Sequence, residues 1–313
     1  MILHDFSQTV FGQVFTDLKR NGNGEIKPEL IRHLVLNQLC SFNNKFKSKY
    51  GQMVICIDSR KQYWRKREFA YYKFKRGQDR KASDLNWGEL FESMNMIRDE
   101  VIEEIPLLTF EVDHMEADDL ISALVKYPHE KHIIVSSDND FQQLQILPNV
   151  AQYSPLTKKL VKCADPEGYL EEHIIRGDKG DGIPNIRAPA DFFYRKSLGE
   201  DVRQPAITKK FLRTIKEELE SDSELKARWK QNRGLVDLVH VPERHLSTIY
   251  DEFERQVSEF RQQNYNLYKY MMKNRLRILM ENIHEFANDN SFPCEKHLTS
   301  NIDNENNLEE FMS

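Results

Sequence analysis

The chain has 313 residues, 39% of them hydrophobic and 30% charged, with a mean hydropathy of -0.68, which excludes a membrane-embedded or wholly disordered protein. Its four cysteines (Cys40, Cys56, Cys163, Cys294) lack CxxC spacing, which argues against a zinc ribbon or disulfide scaffold and for free thiols in a reducing cytoplasm. A formal net charge of -5 by itself opposes nucleic-acid binding.

Residues 1–5 carry neither the basic segment nor the apolar core of a secretory signal. Ile2-Leu3-His4 reads as a first strand ending at Asp5. Apolar positions Leu30, Ile31, Leu34, Val35 and Leu39 predict a helix over 28–47. Met53-Val54-Ile55-Cys56-Ile57 is continuously apolar, as a strand buried on both faces must be. Leu90, Phe91, Met94, Ile97, Val101 and Ile105 predict a helix over 87–105. Residues 107–112 and 132–135 read as further strands, with an amphipathic helix over 116–127 between them. Strand–helix–strand alternation predicts an α/β fold, a mostly parallel central sheet with helices on both faces. From residue 165 the pattern turns helical: 165–176, then 206–230 and 245–287, parted by the Pro/Gly-containing stretch 231–244. The expected division is an α/β region at 1–164, a helical region at 165–287 and a polar, mobile tail at 288–313.

Charge is segregated. Residues 60–81 hold ten Lys/Arg against Glu68 and Asp79, while acids gather after apolar runs: Asp5, Asp58, Glu116, Asp118, Asp119, Asp138, Asp140, Asp178 and Asp181. Either patch alone is an ordinary solvated face, and acids in a helix's first turn satisfy the macrodipole without any ligand. Asp5, Asp58 and Asp138, however, follow three strands of one parallel sheet, so they face the same rim. Carboxylates packed there raise one another's pKa unless cations intervene. Hard divalent ions such as magnesium prefer oxygen ligands, and nine acids suit two ions better than one. Ten dispersed histidines without HExxH spacing, and the lack of a Walker A loop or GxSxG elbow, give no support to a zincin, NTPase or serine hydrolase.

Three blocks in order, Glu116-Ala117-Asp118-Asp119, Ser136-Ser137-Asp138-Asn139-Asp140-Phe141 and Gly177-Asp178-Lys179-Gly180-Asp181, resemble the EADD, SxDxDxxQL and GDxxDxxPG signatures of the 5′-nuclease (flap endonuclease) superfamily. His4-Asp5-Phe6-Ser7-Gln8, the 32–37 segment, Cys56-Ile57-Asp58 and Phe69-Ala70-Tyr71-Tyr72-Lys73 are similar to its T-even bacteriophage RNase H branch.

The resemblance implies a PIN-like 5′-nuclease fold with a basic helical arch at about 60–81 and a helix–three-turn–helix at about 165–195. It also implies a magnesium-dependent 5′-to-3′ exonuclease and flap endonuclease, with manganese as a substitute ion. The substrates are RNA–DNA hybrid and duplex or flap DNA, and the task is removing RNA primers from lagging-strand fragments in phage replication. All nine acids match metal-site positions, Asp138 among the catalytic ones. Lys73, with Arg65 or Arg67, is expected to neutralise the scissile phosphate, and Tyr72 to stack on a terminal base. Lys75 and Arg76 fall in the YKxxR segment. Gly177, Lys179, Gly180 and Gly182 are expected to meet a duplex phosphate.

The expected state is a monomer without membrane contact, in the host cytoplasm. A sliding clamp and a single-stranded-DNA-binding protein are the expected partners, with Leu308 and Phe311 as clamp anchors. Two departures stand out. The chain begins almost directly in its first strand, without the longer lead of the phage branch, and Gly182 stands where the family often has Asn. The other readings are a PIN-type single-strand ribonuclease and a non-catalytic nucleic-acid-binding protein.

Overall fold

The computed structural model describes residues 1–21, 26–126 and 131–286. Six strands, β1 (Ile2–Asp5), β2 (Met53–Cys56), β3 (Leu108–Phe110), β4 (His132–Val135), β5 (Val150–Ser154) and β6 (Lys159–Val161), form one sheet in the order β3-β2-β1-β4-β5-β6. All pairings are parallel except β5 with β6. The helices in chain order are α1 (Phe6–Asn21), α2 (Pro28–Tyr50), α3 (Trp64–Glu68), α4 (Phe74–Lys81), α5 (Trp87–Glu104), α6 (Ala117–Leu124), α7 (Pro166–Arg176), α8 (Phe192–Ser197), α9 (Lys209–Ser221), α10 (Ser223–Val236), α11 (Glu243–Gln262), α12 (Leu267–Lys273) and α13 (Arg277–Glu281). No described helix is long and apolar enough to cross a membrane.

The strands are apolar throughout because both faces are covered. Ile2, Met53, Ile55, Ile133 and Val135 pack against α1, α2 and α5. Their neighbours Leu3, Val54, Cys56 and Ile134 face the opposite way onto α6 and α11. The helical C-terminal part closes both layers: Phe253 and Val257 of α11 join the second cluster, while Met271, Leu276, Leu279 and Phe286 join the first. Cys40 and Cys56 are buried free thiols.

Several expectations need correction. α1 went unread although Phe6, Val10 and Val14 are fully buried at helical spacing. The span 206–230 is two helices: Asp222 terminates α9 and its side chain accepts from the amides of Glu224 and Leu225, capping α10. α10 then runs through Gly234 to Val236 instead of stopping near 231. The span 245–287 is interrupted at 263–266, where Asn266 caps α12 by accepting from the Lys269 amide. The basic segment 60–81 holds two short helices, α3 and α4, parted by the turn at 69–73. That turn seats Phe69 and Tyr72 in an apolar cluster with Ile174, Ile183, Leu235 and Val236. The proposed tail and its Leu308/Phe311 anchors lie outside the described residues.

Candidate active site

In parallel register, β1 ends at Asp5 opposite Cys56 of β2, so Asp5, Asp58 and Asp138 emerge at one rim. Each is held by short local contacts. The Ser136 hydroxyl and the Gln8 amide donate to Asp5, at 3.2 and 3.1 Å. The Ser7 hydroxyl donates to Asp58 Oδ2 (2.5 Å) and the Ala117 amide to Oδ1 (2.9 Å). Asp138 accepts from the Asp140 amide (2.9 Å), and Gln152 fixes its loop through the carbonyls of Ser136 and Asp138. Asp118, in the first turn of α6, receives no hydrogen bond from another described side chain.

These carboxylates crowd one another. Burial and then the Asp58 charge push Asp5 up to about 7, with Asp138 adding to the shift. Burial, then Asp138, drive Asp118 well above the usual carboxylate range. Burial takes Asp140 to about 7; His173 opposes the rise and Asp138, Asp178 and Asp181 add to it. The anionic chain therefore runs continuously from Asp58 to Asp181. At its far end Asp140, His173 and Asp178 offer ligand atoms within 4.8 Å of one another. His173 Nδ1 lies 3.5 Å from Asp140 and Nε2 3.7 Å from Asp178.

Stability without divalent cations should therefore depend on pH. An acid whose folded pKa lies above its unfolded value holds a proton in the folded state that the unfolded chain has released, so stability falls as pH rises between the two. For Asp5 and Asp140 that window runs from about 4 to about 7. Melting scans in chelator are expected to show a falling melting temperature across this window. A saturating divalent cation should flatten it. At 100 times Kd the gain is about 2.7 kcal/mol, or roughly 5–10 °C. A cation-independent profile would show that the carboxylates do not converge.

Two of the nine acids are not in the open bowl. Asp119 is fully buried and points away from the rim. It accepts from Trp64 Nε1 (3.0 Å) and its own helix's Glu116 amide (3.0 Å), and pairs with Arg65 at 2.7 Å. Glu116 borders the bowl, but its carboxylate is enclosed by Arg65 (3.0 Å), the Tyr72 hydroxyl (2.9 Å) and Lys73. Burial works against the Glu116 charge, yet Lys73 and then Arg65 outweigh it and hold the carboxyl below its ordinary range.

The basic residues sort differently from expectation as well. Arg65 is buried, bridging Glu116, Asp119 and the Leu235 carbonyl (2.9 Å), so no phosphate reaches it. Arg67 is exposed and sits on the His114 ring at 3.0 Å, away from the acids. Lys73 and Arg76 do meet them: Lys73 contacts Glu116 and approaches Asp181 at 3.7 Å, and Arg76 pairs with Asp181 at 2.6 Å. Tyr72 is 3% exposed and its hydroxyl faces Glu116 and Asp181, so it has no free face for a base. Lys75 lies outside this group, 3.8 Å from Asp79. Lys179 is exposed.

In the turn after α7 the Gly177, Gly180 and Gly182 amides are all engaged internally, with the His173 carbonyl, Asp178 and the Lys179 carbonyl. They are not aimed at a phosphate. What Gly182 does instead is admit the basic segment. With φ +76 and a Cβ that would stand 2.8 Å from the Tyr71 carbonyl, it allows the Lys73 amide to donate to the Asp181 carbonyl at 2.7 Å. Gln152 and His173 carry no motif in the sequence, and although Ser7 and Ser136 fall within the motif blocks, nothing there reveals that they hold Asp58 and Asp5. For His173, one turn before Gly177 at the end of α7, the available signal is proximity to the Gly-Asp turn.

Comparison with known proteins agrees with this geometry. The 5′-3′ exonuclease N-terminal resolvase-like domain matches residues 7–173, and the T4 RNase H C-terminal region matches 165–286. The chain is 34% identical over 300 residues to the ribonuclease H of Enterobacteria phage T4, covering 91% of this chain and 95% of that one. It is 26% identical over 197 residues to a 5′-3′ exonuclease of Buchnera aphidicola, covering 59% and 65%. Among solved structures, bacteriophage T5 5′-exonuclease with bound zinc superposes with a TM-score of 0.55 at 17% identity, covering 82% of this chain and 99% of that one. A T5 flap endonuclease complex with DNA and metal ions gives 0.55 at 18% identity, covering 82% and 98%. A family domain spanning the sheet and its acid rim, continued by the helical region of a relative that aligns nearly end to end, means that the chain belongs to the 5′-3′ exonuclease family of nucleases.

Proposed function

We propose that this nuclease hydrolyses phosphodiesters from the 5′ side of RNA–DNA hybrid and of duplex or flap DNA with two divalent cations, magnesium in the cell and manganese as a substitute. We further propose that it clears RNA primers from lagging-strand fragments during phage replication. The observation that carries this reading is the convergence of Asp5, Asp58, Asp118, Asp138 and Asp140 at one rim, where burial and neighbouring carboxylates push Asp5, Asp118 and Asp140 up despite the nearby Lys73 and His173.

Those residues fit hard cations. Asp118 and Asp138 have oxygens not used by the protein, and the raised pKa values of Asp5, Asp118 and Asp140 are what oxygen ligands show before a cation arrives. Asp5, Asp58, Asp118 and Asp138 would hold one ion; Asp140, Asp178 and Asp181, with His173 beside them, would hold the other. Bound there, such ions lower the pKa of an attacking water and stabilise the leaving oxygen.

The chain itself supplies orientation. Ser7, Ser136 and Gln152 fix the carboxylates before substrate arrives. Lys73, held at φ +53 with its ammonium against Glu116, and Arg76 stand at the mouth of the bowl, where a non-bridging phosphate oxygen would draw them from their carboxylates. The test is cleavage of 5′-labelled flap, blunt duplex and RNA–DNA hybrid with magnesium, manganese or chelator. Stepwise loss of 5′ nucleotides in either metal is expected. Equal turnover in chelator would overturn the reading.

A further inference from the structure

The outer end of the anionic chain is not built from carboxylates alone. α7 stops where Gly177, at φ +67, closes its amide on the His173 carbonyl at 2.8 Å. The turn that follows carries Asp178 back alongside the His173 ring. Asp178 is fixed through one oxygen: Oδ1 accepts from the Gly180 and Asp181 amides at 2.6 and 3.1 Å. The other, Oδ2, stands 3.7 Å from His173 Nε2. From the opposite side the 3₁₀ turn at Asp140–Ile146, which packs on α7, brings Asp140 Oδ1 to 3.5 Å from His173 Nδ1. Asp140 donates its amide to Asp138, and its carboxylate accepts no hydrogen bond among the described residues.

Both gaps are longer than the hydrogen bonds of about 2.7–2.9 Å that an imidazolium makes to a carboxylate. His173 Nδ1 is covered by protein and has no hydrogen-bond partner, and only 12% of the side chain is exposed. Tyr169, one turn earlier on α7, flanks the ring with centroids 5.9 Å apart. A covered ring nitrogen without a partner, set between carboxylate oxygens that the protein leaves unused, is a ligand set waiting for an ion. Ligand atoms in tetrahedral contact with a zinc-sized ion stand about 3.4 Å apart, close to the 3.5 Å between Nδ1 and Asp140. Asp140, His173 and Asp178 together offer ligand atoms within 4.8 Å of one another. The inner half of the bowl, Asp5, Asp58, Asp118 and Asp138, presents oxygen alone.

We infer that His173 is a direct ligand of the outer ion, and that this mixed imidazole–carboxylate set gives the outer half a preference for zinc-class ions, zinc or cobalt, that the inner half lacks. Imidazole nitrogen suits borderline ions, whereas magnesium takes oxygen ligands and keeps several waters. A magnesium site gains nothing from a ring that fills the place of a water. The inference deepens the proposed two-ion function and rests on it for the existence of an outer ion.

The test is calorimetric titration of the metal-free full chain with zinc chloride and, separately, with magnesium chloride, at one fixed pH, in wild type, His173→Gln and His173→Asn. Losing a group that merely supports a metal ligand costs about 10–100-fold in affinity, so losing the ligand itself should weaken zinc binding at least about tenfold in both variants. Magnesium affinity should move less than about threefold. A second readout needs no variant to fold: with nitrogen-15-labelled histidine in the wild type, the His173 ring, assigned through its contacts with Tyr169, should shift on adding zinc and not on adding magnesium. Zinc affinity equal in all three proteins, or an unmoved His173 resonance, removes the ring from the ion. Zinc and magnesium affinities that fall together overturn the ligand as well, because His173 would then only position Asp140 and Asp178. So does a rise in magnesium affinity, which would make the ring a countercharge. Cleavage of the 5′-labelled flap by the wild type in magnesium separates the two readings. Absence of both cleavage and metal binding sinks the two-ion nuclease, whereas cleavage with a His173-independent zinc affinity sinks only the ligand.

Discussion

Asp138→Asn is expected to lower turnover by at least about 10²-fold, the upper end for losing a group that merely supports a metal ligand, while duplex binding in chelator persists. The substitution is nearly isosteric, and an asparagine Oδ1 can still accept the Asp140 amide that Asp138 accepts at 2.9 Å, so the loop need not move. What changes is charge. Asp138 contributes to the upward shifts of Asp5, Asp118 and Asp140 alike, which makes it the common neighbour of both halves of the bowl. Removing it should relax all three, so the metal-free variant should melt higher than the metal-free wild type at neutral pH. Its gain from added magnesium should shrink. Activity and metal-free stability thus move in opposite directions, an outcome that simple misfolding does not produce. Undiminished turnover, or a lower melting temperature in chelator, would remove Asp138 from the centre.

Much of this arrangement is legible in the sequence because strand ends are. The apolar runs 53–57 and 132–135 identify strands buried on both faces, and parallel pairing then brings the acids that follow them to one rim. Elements without a local boundary were harder to read. α1 follows β1 with no intervening turn, since Asp5 closes the strand and Phe6 opens the helix. β6 is three residues long, too short for a periodicity. The allocation of charges was less legible still, because it is decided by direction around a helix and by contacts from distant parts of the chain. Asp118 and Asp119 are adjacent in sequence, but about 100° of helical rotation turns one toward the bowl and the other into the core. Arg65 and Arg67 are separated in the same way, and what buries Arg65 includes a carbonyl 170 residues away.

Arg65 accordingly carries the largest expected stability effect. It lies at the centre of a buried hub in which Arg65 and Lys73 balance Glu116 and Asp119, with Trp64 and Tyr72 donating to the same carboxylates. Burial alone would depress the guanidinium's pKa, but Asp119 and the charges beside it outweigh that and hold it well above its ordinary value. Arg65→Met keeps the bulk and removes the charge, leaving Asp119 buried with no cation. Breaking a buried pair from one side costs about 3–5 kcal/mol, or a fall in melting temperature of roughly 10 °C. Arg65→Lys should rescue only part of this, because a single ammonium cannot reach two carboxylates and the Leu235 carbonyl with the fixed fork of a guanidinium. Arg67→Ala, on the exposed side of α3, should shift melting little, as surface substitutions generally do. The comparison separates a positioning role from direct contact with substrate. If Arg65 anchors α3 to the start of α6, Arg65→Met loses stability first, and turnover only through the displaced Lys73 and Glu116. A variant that melted like the wild type but failed to turn over substrate would instead place Arg65 against the phosphate, and the buried hub would then not describe the folded protein.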